Sequence, residues 1–223
     1  MTVFFIDLCL EKDFQFPARI SIFVCLNFEA LLFHRMSDEE LIDRILEGDE
    51  EAFGALLERY HVKVINVCLG ILHNRSDAED AAQEVFIQVF QSIDGFRRQS
   101  ALSTWIYRIA VNKSINHLRK SRNRANILTV DPAGGFGDIS GQYPAAGKTP
   151  ADILLTNEMR RTIRRAMDSL PEKQRVAFAL HKYEDLSYKE IAETMGLSLP
   201  AVESLIHRAK KNLQKKLTRF QKE

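Results

Sequence analysis

Residues 186 to 208 read Leu186-Ser-Tyr-Lys-Glu190-Ile-Ala-Glu-Thr-Met-Gly196-Leu-Ser198-Leu-Pro200-Ala-Val-Glu-Ser-Leu-Ile206-His-Arg208, and their reading decides the fold of the C-terminal part. Ser187 followed three residues later by Glu190 is a capping box, in which each side chain takes a backbone amide at a helix start. The short helix it opens, with Ile191, Ala192 and Met195 inward, reaches Gly196, which supplies the positive φ of a tight turn. Ser198 then caps a second helix with Pro200 in its first turn, where a missing amide costs little. Small Ala192 permits a close crossing, and Leu186, Ile191, Leu197, Val202 and Ile206 form the shared core. The pattern is helix, turn, helix.

A plain helical hairpin would satisfy those apolar positions equally well. Charge favours DNA, because residues 204–223 hold seven basic side chains against one acidic. If the second helix enters a major groove, Ser198, Ala201, Glu203, Ser204, His207, Arg208 and Lys211 are the positions at the DNA. Lys210, Lys215 and Lys216 then meet phosphates with Lys211.

Working back along the chain, Ser37-Asp-Glu-Glu40 is another capping box, so a helix is expected directly after Met36. Apolar residues from Leu41, Ile42, Ile45 and Leu46 through Ala52, Phe53, Leu56, Leu57, Tyr60, Val64, Val67, Cys68 and Ile71 keep the 3.6-residue spacing, with Gly48-Asp49 separating two helices. Ser76-Asp-Ala-Glu79 is expected to cap a further helix. Ala82, Val85, Phe86, Val89 and Phe90 form its apolar side, and Asp80, Gln83, Glu84, Gln88 and Gln91 its polar side. A third long helix is expected from Leu102 to Arg119. No alternating strand pattern competes.

The formal net charge of +1 over 223 residues hides blocks of opposite sign. Residues 36–94 carry 4 basic and 14 acidic side chains, net −10; residues 95–124 carry 8 basic and none acidic, net +8. Such asymmetry suggests one surface for a polyanion and another for a basic protein partner. In the basic block, Phe96, Trp105 and Tyr107 alternate with cations and are joined by Asn112 and Asn116, a composition suited to single-stranded DNA, which stacks on aromatic faces along a cationic groove. Trp105 lies on the apolar spacing and is read as a core residue first, with one edge exposed.

Residues 125–150, rich in Gly and Pro without apolar period, read as a flexible linker. Residues 1–35 differ from the rest: they hold seven of the fourteen Phe and Cys9 and Cys25 of the three Cys. Their longest apolar run, Ile20 to Phe33, contains Asn27 and Glu29 and is shorter than the roughly 20 residues of a membrane span. Asp7, Glu11 and Asp13 stand where a signal peptide would be basic. No direct membrane insertion is expected. Cys9, Cys25 and Cys68 have no paired spacing and no His cluster, so neither a disulfide framework nor a metal site is expected, and a reducing, cytoplasmic setting is the simpler reading.

The run from Asp77 (Asp-Ala-Glu-Asp-Ala-Ala-Gln-Glu-Val-Phe86), Phe96, Ser100-Ala-Leu-Ser-Thr-Trp-Ile-Tyr-Arg-Ile-Ala-Val-Asn112, Leu170-Pro-Glu-Lys-Gln-Arg175 and Leu186-Ser-Tyr-Lys-Glu-Ile-Ala192 together resemble bacterial RNA polymerase sigma factors of the sigma-70 family, extracytoplasmic-function class. The resemblance covers residues 36–124 and 151–219. It implies an all-α protein of two small helical domains joined by the flexible linker 125–150. The domain at 36–124 would be sigma region 2, binding core polymerase and the minus-ten element; that at 151–223 would be sigma region 4, whose helix-turn-helix binds the minus-thirty-five element.

The resemblance also assigns residues. Asp80, Gln83, Glu84, Phe86 and Phe90 would meet the clamp of the largest polymerase subunit. Trp105, Arg108, Asn112, Asn116, Arg119, Lys120 and Arg122 would hold the minus-ten strand, with Asn112 lining the pocket for a flipped base. Core polymerase, promoter DNA and an anti-sigma factor are the implied partners; no cofactor and no catalytic residue are implied. Glu203 departs from the basic residue common there, so the promoter preference of other members does not transfer. Because the resemblance begins at Met36, residues 1–35 are expected to be an upstream translation-start misassignment, the alternative being a sensing or anchoring extension. A free-standing helix-turn-helix regulator is the competing function. An enzyme with Asp77, Glu79, Asp80 and Glu84 on a metal is disfavoured, since no His or second carboxylate cluster completes a site.

Overall fold

A computed structural model describes residues 36–127 and 150–220, in which every regular element is a helix. Residues 1–35, most of the expected linker and the Arg122 side chain lie outside the described residues. The chain divides into two compact units, residues 1–56 and 57–223.

In the first unit, α1 (Asp38–Leu46) begins with the expected capping box: the Ser37 amide donates to Glu40 at 2.7 Å and the Glu40 amide to Ser37 at 3.2 Å. Leu41 and Ile42 are buried, whereas Leu46, expected inside, is exposed. Gly48 turns the chain with φ +89°, and Asp49 takes the amides of Glu51 and Ala52 at the start of α2 (Glu50–Leu72).

In the second unit, α2 continues and ends at His73, whose φ of +54° breaks the helix. The next helix, α3 (Arg75–Ser92), is capped by Asn74, which accepts from the amides of Ser76 and Asp77. The expected capping box at Ser76 is therefore corrected: the left-handed turn at His73 brings Asn74 into the cap position first, and Glu79 pairs with Arg75 at 2.8 Å instead. A 3-10 turn (Ile93–Gly95) follows, then α4 (Leu102–Ile127), longer than the expected helix ending at Arg119. Val85, Val89, Ile106 and Ala110 are fully or almost fully buried where α3 packs on α4. Cys68 is free and buried, and burial pushes its thiol up to about 11.

The C-terminal helices are α5 (Pro150–Asp168), α6 (Glu172–Tyr183), α7 (Tyr188–Met195) and α8 (Leu199–Phe220). Val202, Ile206, Ala209 and Leu213 repeat at helical spacing and are buried along α8. Ala209 and Leu213 join Ala166, Met167 and Leu170 in one apolar cluster, flanked by Phe178 and Leu217. This second unit takes in helices from both segments that the sequence reading separates at 125–150, because α4 packs against α7.

Candidate nucleic-acid interface

The helix-turn-helix forms as its local sequence dictates. Ser187 and Glu190 exchange capping bonds of 2.8 and 3.3 Å, and Gly196 closes α7 in the left-handed region at φ +63°. The Val202 amide donates to the Ser198 carbonyl at 3.1 Å, which sets Ser198 at the start of α8. Ile191, Ala192, Val202 and Ile206 are buried, with Leu186 and Leu197 half-buried. Ser198, Glu203, His207, Arg208 and Lys211 are exposed, and Ala201 and Ser204 are half-buried. The spacing of Glu203, His207 and Lys211 places them one above another, so they form a single ridge.

Between α3 and α4 lies a cleft of about 400 Å³ lined by Gln88, Ser92, Trp105, Ile109, Asn112, Lys113 and Asn116. Trp105 is half-buried and packs against Phe96 with ring centroids 5.1 Å apart and planes at 47°. One aromatic edge and two exposed side-chain amides thus share one cleft, and an amide both donates and accepts on a base edge. Gln88, Ser92, Ile109 and Lys113 were not singled out as site residues from sequence. Gln88 and Ser92 stand four apart and so share the side of α3 that faces the cleft, a spacing that could have marked them.

The basic residues of α4 divide. Lys120 is exposed. Arg108 donates to the Glu193 carbonyl at 2.8 Å, and Arg119 forks onto Glu172 at 2.9 and 3.4 Å. Arg108, Asn112 and Arg119 line a second cleft of about 510 Å³, walled opposite by Glu172, Lys173, Thr194, Met195, Gly196 and Leu197. Asn112 is the rim shared by both clefts.

The α3 residues divide as well. Asp80 and Gln83 are exposed, and Phe90 is 63% exposed; Ile87, not among the residues singled out from the sequence, is 58% exposed. Their spacing of three, four and three residues puts the four on one stripe. Phe86 is buried, its ring stacked on His61 at 6.2 Å, so it supports this surface from beneath and does not belong to it. Glu84 faces α4, 3.0 Å from His117 Nε2 and 3.6 Å from Lys113 Nζ. Partial burial raises its carboxyl, but the His117 hydrogen bond and the charges of His117, Lys113 and Lys120 outweigh this and hold it below its ordinary value. No group of three or more potential metal ligands occurs among the described residues.

Family models match in two places: Sigma-70 region 2 over residues 56–124 and Sigma-70, region 4 over residues 160–213. The chain is 34% identical over 183 residues to the RNA polymerase sigma-H factor of Pseudomonas aeruginosa, covering 81% of this chain and 93% of that protein. It is 34% identical over the same length to the ECF RNA polymerase sigma-E factor of Escherichia coli K12, covering 82% of this chain and 95% of that protein. Among solved structures, its fold is similar to CnrH in complex with the cytosolic domain of CnrY, with TM-score 0.59, 22% identity and coverage of 81% and 97% of the two chains. It is also similar to the sigma factor RpoE bound to the anti-sigma factor NepR from Bartonella quintana, with TM-score 0.55, 19% identity and coverage of 74% and 96%. With both sigma regions in order and relatives of this identity along most of its length, the chain belongs to the RNA polymerase sigma factors of the sigma-70 family, extracytoplasmic-function class.

Proposed function

We propose that the chain joins RNA polymerase core, reads minus-ten and minus-thirty-five elements, and starts transcription without catalysing a reaction of its own. The observation that carries this reading is the α3–α4 cleft, where Trp105, Asn112 and Asn116 converge beside the Lys113 cation. An extruded base needs such a pocket to offset the few kcal/mol lost in unstacking. Residues 36–124 act as the region that meets core polymerase and the melted strand, through the Asp80, Gln83, Ile87 and Phe90 stripe and through the cleft. Residues 151–223 read the upstream duplex with the Glu203, His207, Arg208 and Lys211 face.

An anti-sigma factor is a further partner in this reading, as one is bound to the structurally similar RpoE. None of the described helices is long and apolar enough to cross a membrane, and the proposed site of action is the cytoplasm.

The test adds purified chain to core polymerase and a promoter captured from the source genome. Transcript that depends on the chain supports the reading, and a chain that binds promoter DNA yet gives no transcript with core alone is a free-standing regulator. Asp80→Arg is expected to weaken core association by charge reversal while leaving folding intact. Core binding unchanged in both Asp80→Arg and Gln83→Ala would remove that stripe from the polymerase contact.

A further inference from the structure

The cleft of about 510 Å³ bordered by α4, α6 and α7 is electropositive, since its lining holds three cations, Arg108, Arg119 and Lys173, against one carboxylate, Glu172, a net charge of +2. Helix α6 begins in it, at Glu172 and Lys173, and no side chain caps its first amides, because Pro171 at the cap position has no hydrogen-bonding group to offer. Uncapped amides with a helix dipole behind them attract an anion. The end of α7 that faces them would repel one, but its carbonyls are engaged: Ala192 accepts from the Leu197 amide at 2.9 Å and Glu193 from Arg108 at 2.8 Å.

Thr194 is an independent sign. It is 2% exposed and lines the same cleft, yet its hydroxyl has no hydrogen-bond partner. Buried polar groups are paired in the great majority of cases, so an orphaned hydroxyl at a cleft wall points to a ligand atom as its partner. The competing acid is held weakly: the side chains of Arg119 and Glu172 are 62% and 24% exposed, and an anion that forks onto Arg119 can displace a pair so wet. A net charge of +2 matches a phosphomonoester, dianionic above about pH 6, better than the single charge of a phosphodiester. The volume is that of a small-molecule site, and half-buried Ile115, Met195 and Leu197 add an apolar wall beside the Asn112 amide. We propose that this cleft binds a free nucleoside monophosphate. Its phosphate lies at the start of α6, on Lys173, Arg119 and the Thr194 hydroxyl, and its base lies on the apolar wall.

The full chain is titrated with guanosine 5′-monophosphate by isothermal calorimetry, without polymerase or DNA. Saturable binding with a Kd of about 1 mM or tighter is expected, and guanosine, inorganic phosphate and the dinucleoside phosphodiester TpT are each expected to bind about tenfold more weakly. Lys173→Gln, at an exposed position, is expected to weaken nucleotide binding about tenfold, and Glu172→Gln to tighten it by removing the competing acid. Lys189→Gln, exposed on α7 outside the cleft, is expected to leave it unchanged. Thr194→Val keeps the shape and is expected to weaken binding without lowering the unfolding temperature of the nucleotide-free chain, since an orphaned hydroxyl stabilises nothing. If Thr194→Val does not fold, Lys173→Gln and Glu172→Gln decide. Absence of saturable binding, or equal losses in Lys173→Gln and Lys189→Gln, overturns the site. Phosphate alone binding as tightly as the nucleotide overturns the nucleoside, and TpT binding as tightly overturns the free ligand in favour of a DNA strand. None of these measurements involves transcription, so their failure leaves the proposed function standing.

Discussion

His73 Nδ1 sits 2.7 Å from Asp168 Oδ1, joining the turn after α2 to the end of α5 across 95 positions of sequence. The imidazole is 7% exposed and the carboxylate 47%, and Arg175 Nη1 lies 3.5 Å from the same oxygen. A buried guanidinium and a buried ring thus share one half-exposed acid.

Asp168 makes stability depend on acid. Burial raises its carboxyl, but the His73 hydrogen bond and the charges of His73, Arg175 and Arg164 outweigh burial and hold it below its ordinary value. An acid with a lowered folded pKa stabilises above its unfolded value, near 3.9, and that contribution fades as pH falls through the folded one. Asp168→Asn is expected to lose about 1 kcal/mol at pH 7, discounted for the exposure of the carboxylate, and less at pH 3. Urea unfolding at the two pH values measures it; an equal loss at both would mean that charge plays no part.

Among the described residues Arg175 is the largest fully buried side chain, and its guanidinium donates to the Asp168 and Ile71 carbonyls. Truncation removes buried stem and leaves those acceptors without their donor, so Arg175→Ala is expected to cost about 3 kcal/mol. Thermal and chemical unfolding of the full chain would show it. Arg175→Lys restores charge but not the fork, and recovers only part of the loss.

Glu184 runs the opposite way. Burial pushes its carboxyl above the ordinary value, and Asp185 adds to this, while Asn66, Tyr107 and Lys63 oppose it. A raised acid contributes stability below its unfolded pKa and loses it as pH rises through the folded one. Glu184→Gln, which keeps an acceptor for Tyr107, is expected to unfold at a higher temperature than the unaltered chain at pH 8. The gap should close as pH falls below the ordinary glutamate range; a variant that is less stable at pH 8 would show that the anion is favoured there.

Arg208 is exposed on α8. If it meets a base edge, Arg208→Ala is expected to weaken binding to the upstream promoter element by about 1–3 kcal/mol and relax preference at one base pair. Footprinting against a randomised element separates this from a phosphate contact, which would weaken all sequences alike and lower the salt slope.

The local features were legible because their causes are local. Two capping boxes, at Ser37 and Ser187, and the left-handed Gly196 follow from spacing within four residues, and all form. The cap at Ser76 does not form because Asn74 starts the helix two residues earlier, taking the Ser76 and Asp77 amides, and the φ of His73 that favours Asn74 does not show in residue type. Periodicity placed Phe86 correctly inward but put Phe90 on the same apolar side, whereas Phe90 and Ile87 face outward together. The charge blocks mark a basic segment on α4, yet they could not show that Glu172 and the Glu193 carbonyl already engage two of its arginines.

By itself, the sequence determined the all-helical class, the helix-turn-helix and the family, since each depends on short-range spacing or on motifs in order. The tertiary structure alone decided that Arg175 is a buried connector, that Gly70 is an approach site for Tyr183, and that Asn112 stands between two clefts. The physical reason is range: a cap or a helix period is settled within a turn, whereas desolvating a guanidinium or bringing a ring against bare backbone requires partners distant in the chain.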